Sequence, residues 1–404
     1  MTDINTPETA AATAGALDGV VVVDFTQVFL GPSATQLLGD YGAEVIKVER
    51  PAGDLARSSI VDPSGTDNPI FYSINRNKRS VRVDTRSAQG REVVLDLIRQ
   101  ADVVVSNFRA GVMDRMGFGY EDLKAINPRL IWASATGYGE VGPYAHKGGQ
   151  DVLIQAMSGV MWRRQSEDIP LNVYPTTLCD YTAGMHLMQG ILLALLARER
   201  TGEGQRVDIR MFDSMLHMQM QEAATRLNRG VEINWAAMPL SGVFPTTDGA
   251  VCMVGAFKTQ PLKDICQALD LGDELWQRAD LQHPDGWMAA KPELQQRFRE
   301  TFATNTTAYW VSRLEEVDLL CAPVLTMEQA LEDAQAEING MVVEMDHPTE
   351  GRVRVVNAPI HLSGTPAEIR RRAPQLGEDS ASVLAEHGYD GDRIDALRQA
   401  GVIG

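Results

Sequence analysis

The first third of the chain alternates valine-rich runs with segments of helical spacing, and this alternation constrains the fold more than any other feature. The run Val20–Phe25 is typical of a strand that is covered on both faces of a sheet. The same pattern predicts further strands at Glu44–Val48, Ser80–Val83, Asp102–Val105 and Leu130–Ala135. Because helical segments separate the strands, we expect βαβ crossovers and therefore an α/β fold with a Rossmann-like parallel sheet.

The sequence also marks where the helices begin and end. Gly31 and Pro32 open the first helix, since a proline in the first turn costs no hydrogen bond, and this helix ends near Gly42. Further helices are predicted at Ala88–Gln100, Asp151–Val160 and Thr182–Arg200. A strand at Arg206–Ile209 and a helix that ends near Asn228 are predicted to follow them.

A change of composition near residue 229 predicts a domain boundary. Proline and glycine become frequent there, and Thr247-Asp248-Gly249 predicts a β-hairpin. We therefore predict a disordered tail at 1–16, a large Rossmann-like domain with linker helices at 17–229, a smaller α+β domain at 230–325, and a return to the large domain at 326–404.

The charge balance restricts the partners of the protein. The chain of 404 residues carries a formal net charge of −17. Proteins that bind nucleic acid or an anionic membrane rely on clustered Lys and Arg, so we expect neither as a partner. A small anionic ligand is compatible with this charge, because a local basic pocket can exist in an acidic protein.

The cysteines and histidines lack the spacing of a disulfide framework or a metal site. The four cysteines form no CxxC pair, so we expect free thiols and a cytoplasmic location. The seven histidines show no spacing typical of metal ligands, so we expect no metal. For Cys179 a buried, unreactive thiol is favoured over a nucleophile. The first sixteen residues do not resemble a signal peptide, and the apolar run Met185–Ala197 is too short to cross a membrane.

The loop after the first strand argues against a nicotinamide dehydrogenase. Residues 26–32 (TQVFLGP) contain one glycine, whereas the dinucleotide-binding fingerprint requires three at fixed spacing. A Rossmann-like sheet therefore does not by itself predict NAD binding in this chain.

Asp180 is the strongest candidate for a catalytic side chain. It lies in the segment Leu178–Gly184, where an extended stretch turns into the long helix. One interpretation is a structural N-cap, a position that favours aspartate. The other is a nucleophile, because a carboxylate fixed at a helix start among small residues can meet a thioester. The two roles are compatible.

Three groups of basic residues stand at the ends of predicted strands. Arg50 and Arg57 follow the second strand, the segment Asn75–Ser80 enters the third, and Arg109 and Arg115 follow the fourth. In an acidic chain, these cations predict a pocket for a polyanion such as a nucleotide diphosphate. The alternative is a set of solvated surface charges.

Five segments, taken in order, resemble the class III CoA-transferases. They are DFTQVFLGPSATQLLGDYGAEVIKVERPAGD, NRNKRSVRVD, SNFRAGVMDRMGFGYEDLKAINPRLIWASATGYG, GQDVLIQAMSG and DYTAGMHLMQGILLALLARERTGEGQRVD, and the resemblance covers residues 17–377. The family includes formyl-CoA transferase and carnitine CoA-transferase, with α-methylacyl-CoA racemase as a relative. The resemblance implies an interlocked homodimer, acyl-CoA and a carboxylic acid as substrates, and no permanently bound cofactor.

The resemblance also implies roles for individual residues. Asp180 matches the family's nucleophile, which carries aspartyl anhydride and aspartyl-CoA thioester intermediates. The positions that match CoA contacts are Arg50, Asn77, Lys78, Arg79, Ser80, Arg115, Met116 and Gly117. Three further residues, Phe29, Gln150 and, across a one-residue gap, Asp151, match positions near the acyl group.

Two departures from the family narrow the expected activity. Gln150 stands where the racemases carry a histidine, and an amide cannot exchange an α-proton as an imidazole does. Phe29 replaces a glutamine of the formyl-CoA transferases, and their glycine-rich flap has no match beyond Val254–Lys258, which contains a single glycine. These differences disfavour oxalate and formate as substrates.

We consider three functions for the chain. The favoured one is CoA transfer from an acyl-CoA donor, with succinyl-CoA as a candidate, to a free carboxylic acid. The second is an acyl-CoA racemase or isomerase of the same fold, and the third is a non-catalytic CoA-binding protein. Transfer requires a free acid, racemisation does not, and a binding protein turns over neither substrate.

Overall fold

A computed structural model describes residues 14–58, 68–255 and 257–404. Most of the predicted tail at 1–16 lies outside these residues, as does Ala256 of the segment Val254–Lys258. The described chain forms two compact units. The first contains the described residues up to Ser158 together with Tyr174–Gln219 and Ile338–Gly404, and the second contains Gly159–Val173 and Met220–Glu337.

The first unit is built on a sheet of six parallel strands. They are β1 (Val21–Asp24), β2 (Glu44–Glu49), β3 (Lys78–Arg82), β4 (Val103–Ser106), β5 (Ile131–Thr136) and β6 (Arg206–Arg210). Their order is β3-β2-β1-β4-β5-β6, and Val22 of β1 pairs with Val45 on one side and Val103 on the other. This is the Rossmann order, in which the strand order reverses between β1 and β4. The predicted Rossmann-like sheet is confirmed.

Helices connect these strands. They are α1 (Leu30–Asp40), α2 (Pro69–Ser73), α3 (Ala88–Arg99), α4 (Val112–Met116), α5 (Tyr120–Ile126), α6 (Asp151–Met157), α7 (Leu178–Thr201) and α8 (Met211–Met218). The valines of the strands form one core with α3, where Val23, Val104 and Leu97 are almost fully buried. Burying a side chain of this size stabilises the fold by about 1.5–3 kcal/mol, so the valine runs commit the chain to this sheet.

Helix α7 lies directly against α1 because of one glycine. A Cβ atom on Gly184 would lie 2.6 Å from Ser33 Oγ and 2.7 Å from the Leu30 carbonyl oxygen. Any larger residue at this position would therefore push the two helices apart. The close approach brings the first turns of α1 and α7 together, beside the carboxyl end of the sheet.

The second unit has its own sheet and its own core. Its helices are α9 (Met220–Arg229), α10 (Pro261–Ala268), α11 (Asp273–Trp276), α12 (Pro284–Ala289), α13 (Lys291–Phe302), α14 (Thr307–Glu315), α15 (Met327–Leu331) and, at its end, α16 (Ala334–Ile338). Its antiparallel strands are β7 (Ser241–Pro245), β8 (Ala250–Val254) and β9 (Leu320–Pro323). The predicted hairpin at Thr247–Gly249 is confirmed by the pairing of β7 with β8, and Phe244, Phe298 and Phe302 lie in the core.

The last part of the chain belongs to the first unit. It contains the hairpin strands β10 (Val342–His347) and β11 (Gly351–Val356), followed by helices α17 (Ser380–Glu386) and α18 (Gly391–Gln399). Four short 3-10 turns complete the described structure, at Leu55–Ser58, Val160–Trp162, Trp235–Ala237 and Ala279–Leu281. Side chains of both C-terminal helices, including Leu384 and Leu397, join the core around the parallel sheet.

The limits of the two units differ from the predicted domain boundaries. They fall after Gln219 and after Glu337, whereas composition predicts boundaries near residues 229 and 325. The segment Gly159–Val173 also belongs to the second unit, although it lies within the predicted large domain. Within the described residues, no helix combines the length and apolar character needed to cross a membrane.

Candidate active site

A cavity of about 300 Å³ lies at the carboxyl end of the parallel sheet. Its walls come from the loops that follow β1, β4 and β5, and from the starts of α6, α7 and α8. The point where the strand order reverses, between β1 and β4, lies within this wall. Crevices at such a point are where open α/β sheets bind their ligands. The lining includes Gln27, Val28, Phe29, Asn107, Arg109, Lys147, Gln150 and Asp180.

Asn107 joins the loops that follow β1 and β4. Its Oδ1 atom accepts a hydrogen bond from the Gln27 backbone N–H at 2.9 Å, and its Nδ2 atom donates to the Gln27 carbonyl at 2.8 Å. Such a reciprocal pair fixes both the distance and the orientation of the two loops. The side chain of Asn107 therefore holds the cavity wall in shape at the reversal point.

Asp180 lies in the first turn of α7 and lines the cavity with a half-buried side chain. The helix begins at Leu178, four residues before the predicted start, and its N-cap is Thr177. The interpretation of Asp180 as an N-cap is therefore wrong. Its neighbour Cys179 is fully buried, and burial raises the pKa of this thiol to about 12, which agrees with an unreactive cysteine.

The carboxylate of Asp151 caps helix α7 from a different helix. Its Oδ2 atom accepts hydrogen bonds from the backbone N–H groups of Cys179 at 2.7 Å and Asp180 at 3.1 Å. Its Oδ1 atom accepts one from Gln155 Nε2 at 2.6 Å. Asp151 is buried and does not line the cavity. Its oxygens are bonded to the start of α7 and to Gln155, and a contact of Asp151 with the acyl group stays a prediction.

This arrangement changes the acidity of Asp180. Burial is the largest cause, and the nearby negative charge of Asp151 adds to it, so the pKa of Asp180 rises to about 7. A carboxylate that is poorly stabilised by its surroundings is a better nucleophile than a fully hydrated one. A pKa near neutrality in a cavity is also typical of a catalytic group.

Gln150 and Phe29 both line the cavity, at the N-cap of α6 and the N-cap of α1. They therefore lie in the same cavity as Asp180, as the predicted roles require. Gly149, beside Gln150, passes so close to Gly137 that a Cβ on it would lie 2.3 Å from the Gly137 Cα. This contact holds the start of α6 against the end of β5.

Two cations line the cavity, and the sequence prediction named neither as a site residue. They are Arg109, in the loop after β4, and Lys147, in the loop before α6. Neither lies within 4.0 Å of a carboxylate of the described residues, and Lys147 Nζ lies 4.4 Å from the centre of the Tyr144 ring. Arg109 belongs to a predicted basic group, whereas Lys147 carries no sequence signal because its loop has no regular spacing.

Arg50 and Arg115 lie near the same end of the sheet, outside the cavity wall. Arg50 follows β2 directly and Arg115 is on α4, which follows β4, and both side chains are exposed. Arg50 Nε donates to the Gly53 carbonyl at 2.9 Å. Carboxyl ends of parallel strands share one edge, so a ligand that extends from the cavity along this edge can meet both residues. Met116, beside Arg115, packs against the core.

The segment Asn77–Ser80 is different, because it enters β3 at the opposite edge of the sheet. Lys78 is fully buried, with its Nζ 3.2 Å from Asp24 Oδ2, and Asn77 is buried with its Nδ2 2.7 Å from Asp40 Oδ1. Ser80 is also buried. The prediction that these side chains hold CoA is not supported by this arrangement. A contact through the backbone or through Arg79 stays a prediction.

Two other members of the predicted basic groups also serve the fold. Arg57 forms a buried ion pair with Glu49 at 2.7 Å, and Arg76 forms one with Asp40 at 2.7 Å. The idea that all three basic groups form one polyanion pocket is corrected accordingly. By contrast, Arg50, Arg109, Arg115 and Lys147 are exposed.

Comparison with known proteins identifies the family. A profile of CoA-transferase family III matches residues 17–380. The chain belongs to CoA-transferase family III. A formyl-CoA:oxalate CoA-transferase of Escherichia coli O157:H7 is 35% identical over 95% of this chain and 98% of its own length. One from Streptomyces coelicolor is 34% identical over 97% of this chain and all of its own length.

Solved structures agree with this assignment. A CAIB/BAIF family protein from Brucella suis superposes with a TM-score of 0.81 and 31% identity, covering 93% of this chain and 100% of that protein. The prediction that the chain is a CoA-transferase is confirmed at the level of the enzyme class.

The exposed arginines of this CoA-transferase yield a first prediction. Arg50→Ala and Arg115→Ala are each expected to raise the KM for acyl-CoA by about tenfold while changing kcat much less, because lost contacts to the nucleotide weaken ground state and transition state alike. Initial rates at varied acyl-CoA concentration measure this. Arg398→Ala removes an exposed arginine from α18 and serves as the charge-matched control. An unchanged KM in both variants would exclude the two arginines from the CoA site.

Proposed function

We propose that the protein transfers coenzyme A from an acyl-CoA donor to a free carboxylic acid, with Asp180 as the covalent nucleophile. The observation that carries the proposal is the position of its carboxylate. Among the residues that the structure describes, Asp180 is the one acidic residue that lines the cavity, and the lining also contains Arg109 and Lys147. A single carboxylate beside cations suits a reaction between anionic substrates and an oxygen nucleophile.

The proposed reaction consists of four exchanges at a carbonyl carbon. A carboxylate oxygen of Asp180 attacks the donor thioester, the C–S bond breaks, and CoA leaves as the thiolate. The thiolate then attacks the aspartyl carbonyl of the resulting mixed anhydride, which releases the donor acid and forms an aspartyl-CoA thioester. The acceptor carboxylate attacks this thioester and expels the thiolate, which finally attacks the acceptor acyl group and frees Asp180. No proton or electron is gained or lost over the cycle.

The requirement for an acid tests this proposal against the other two functions. The protein is incubated with an acyl-CoA, with and without a panel of free acids, and products are identified by mass spectrometry. We expect a new acyl-CoA only when an acid is present. Turnover of the acyl-CoA without acid would support an isomerase, and binding without turnover would support a non-catalytic protein.

Gln150 argues against the racemase function. It lines the same cavity as Asp180, and the described part of the lining contains no histidine. In deuterated water, we therefore expect a 2-methylacyl-CoA to exchange its α-hydrogen at less than about one hundredth of the transfer rate, since Gln150 cannot take or give a proton as an imidazole does. Gln150→His alone is expected to leave this exchange undetectable. Wild-type exchange at a rate comparable with transfer would favour the racemase.

The acids that the protein uses are expected to differ from those of the named relatives. Phe29 forms part of the cavity wall, together with the apolar side chains Leu30, Leu55 and Met211. An apolar wall stabilises a hydrocarbon segment of a bound acid and offers no hydrogen bond to a carboxylate that faces it. We therefore propose an acid with an apolar portion in preference to oxalate or formate, with succinyl-CoA retained as a candidate donor.

A homodimer is the assembly that we propose. Helix α7 leaves two leucines largely exposed, with Leu193 at 67% and Leu196 at 64%, on the same helix that carries Asp180. Exposed leucines in one helical segment are typical of a surface that another chain covers. Interlocking of the two chains and the cytoplasmic location stay predictions.

A further inference from the structure

The loop after β1 is held almost entirely by side chains from other elements. The Thr26 carbonyl accepts a hydrogen bond from Lys47 Nζ at 2.8 Å, and the Val28 N–H donates to Asp54 Oδ1 at 3.0 Å. Between these two groups, the N–H and the carbonyl of Gln27 are both bonded to Asn107. Each backbone polar group from the Thr26 carbonyl to the Val28 N–H therefore has a side-chain partner.

Val28, in the middle of this loop, has an unfavourable backbone. Its φ angle is 66°, in the left-handed region that a β-branched residue rarely adopts. Such a conformation persists only when the surrounding structure holds it, and it occurs preferentially at functional sites. Val28 lines the cavity. The next residue, Phe29, also lines it and is the N-cap of α1.

Lys47 and Asp54 form one buried ion pair beneath the loop. Lys47 Nζ lies 2.9 Å from Asp54 Oδ2, and both side chains are almost completely inaccessible to solvent. The Asp54 Oδ1 atom that accepts from Val28 also accepts from the Ala56 N–H at 2.9 Å. The pair therefore bonds to the loop on both sides of Gln27, through a carbonyl and an N–H group. Neither Lys47 nor Asp54 lines the cavity.

We propose that Lys47 and Asp54 are positioning residues for the active site, which hold Val28 in its left-handed conformation and thereby set the places of Gln27 and Phe29 in the cavity. The inference rests on the proposed function of this cavity. Without the pair, Val28 relaxes to a negative φ angle, and the change of direction moves Phe29 and the start of α1 relative to Asp180. Reacting groups that are displaced in this way lose rate without losing chemistry.

A Val28→Gly background distinguishes a positioning role of the Lys47–Asp54 pair from a general contribution of the pair to stability. Glycine adopts a φ angle of 66° without strain, so the loop needs the ion pair less when Val28 is replaced. We compare the loss of kcat on removal of the pair in the Val28 background and in the Val28→Gly background. The pair is removed as Lys47→Met together with Asp54→Leu, because replacing both charges by apolar side chains of similar size leaves no unpaired charge in the core.

We expect removal of the pair to lower kcat for CoA transfer by about tenfold or more with valine at position 28, and by no more than about threefold with glycine. Equal losses in the two backgrounds would overturn the proposal. Asp54→Asn is a smaller perturbation, because asparagine keeps an acceptor oxygen. We expect it also to lower kcat more with valine than with glycine at position 28, but by a smaller factor. Thermal unfolding verifies that each variant is folded.

A matched control and a second measurement make the result specific. Asp40→Asn disrupts another buried ion pair, with Arg76, at the far end of α1, and we expect its effect on kcat to be the same in both backgrounds. Hydrogen exchange of the residue 28 amide is expected to accelerate by about 100-fold in the Lys47→Met, Asp54→Leu variant. Wild-type protein that transfers no CoA would defeat the proposed function, whereas unchanged exchange would defeat the positioning role independently of activity.

Discussion

Replacing Asp180 with asparagine is expected to lower CoA transfer by about four orders of magnitude or more, while the protein stays folded. The amide of asparagine cannot form the mixed anhydride or the aspartyl-CoA thioester, and no second acidic residue of the described chain lines the cavity to replace it. Helix α7 does not lose its cap, because the Asp151 carboxylate accepts from the backbone N–H groups of its first turn. Steady-state rates and circular dichroism of the purified variant measure the two parts of this prediction.

Trapping the proposed covalent intermediate is an independent test of the same step. Incubation of wild-type protein with acyl-CoA alone is expected to modify the peptide that contains Asp180. Hydroxylamine should convert the adduct to a hydroxamate, and borohydride should reduce the thioester to an alcohol. Asp213→Asn is a matched control, since Asp213 also lies in the first turn of a helix, α8, but is exposed and does not line the cavity. A folded Asp180→Asn protein with near-wild-type transfer would contradict the mechanism.

The raised pKa of Asp180 also predicts how its removal changes stability. The carboxyl group contributes stability that is fully present below its unfolded pKa, near 3.8, and that is lost as the pH rises through about 7. Above pH 7 the folded protein holds a charge that burial and Asp151 oppose. Asp180→Asn is therefore expected to stabilise the fold at pH 8, by about 1 kcal/mol after screening by solvent, and to show no such gain at acid pH. Thermal unfolding at the two pH values measures the difference.

A second large effect is expected in how kcat for CoA transfer depends on pH. The nucleophile must be ionised, so kcat should rise with pH through about 7, the pKa of the Asp180 carboxyl. Asp151→Asn removes the neighbouring negative charge and should move this rise to lower pH, because the charged form of Asp180 is no longer opposed. The amide oxygen of asparagine can still accept from the N–H groups of Cys179 and Asp180, so α7 keeps its cap. Profiles of kcat at saturating donor and acceptor measure the shift.

Asp151→Ala is the control for this prediction. It removes the charge and the cap together, so we expect the pH profile of kcat to shift to lower pH. We also expect the free energy of unfolding to fall by on the order of 1 kcal/mol, which lowers the unfolding temperature. The charge and cap contributions are thus separated by comparing asparagine with alanine. A profile that does not move in the asparagine variant would show that Asp151 does not control the ionisation of Asp180.

Local pattern explains why much of the fold could be predicted. The valine runs of β1 and β4 are buried on both faces, and only a parallel sheet covered by helices provides such an environment. The site could be predicted in part for the same reason. Asp180 lies at the start of a long apolar helix, and Phe29 and Gln150 stand at the N-caps of two others, so the order of the elements brings them to one edge of the sheet.

What the sequence by itself determined is the order of the elements and the Rossmann-like sheet, because these depend on residue type and on periodicity over a few residues. The role of Asp180 as nucleophile stays a proposal that its match to the family motif suggests. Only the tertiary structure decided which charges serve the fold and which face the cavity. Lys78 stands at the start of a strand and Lys147 in a loop, and the sequence does not tell them apart. In the structure, Lys78 is buried against Asp24, whereas Lys147 lines the cavity. The bonds from Asp151 to α7 and from Asp54 to Val28 likewise join residues that are far apart in the chain. Such partners are chosen by the packing of elements against one another, and local spacing does not encode them.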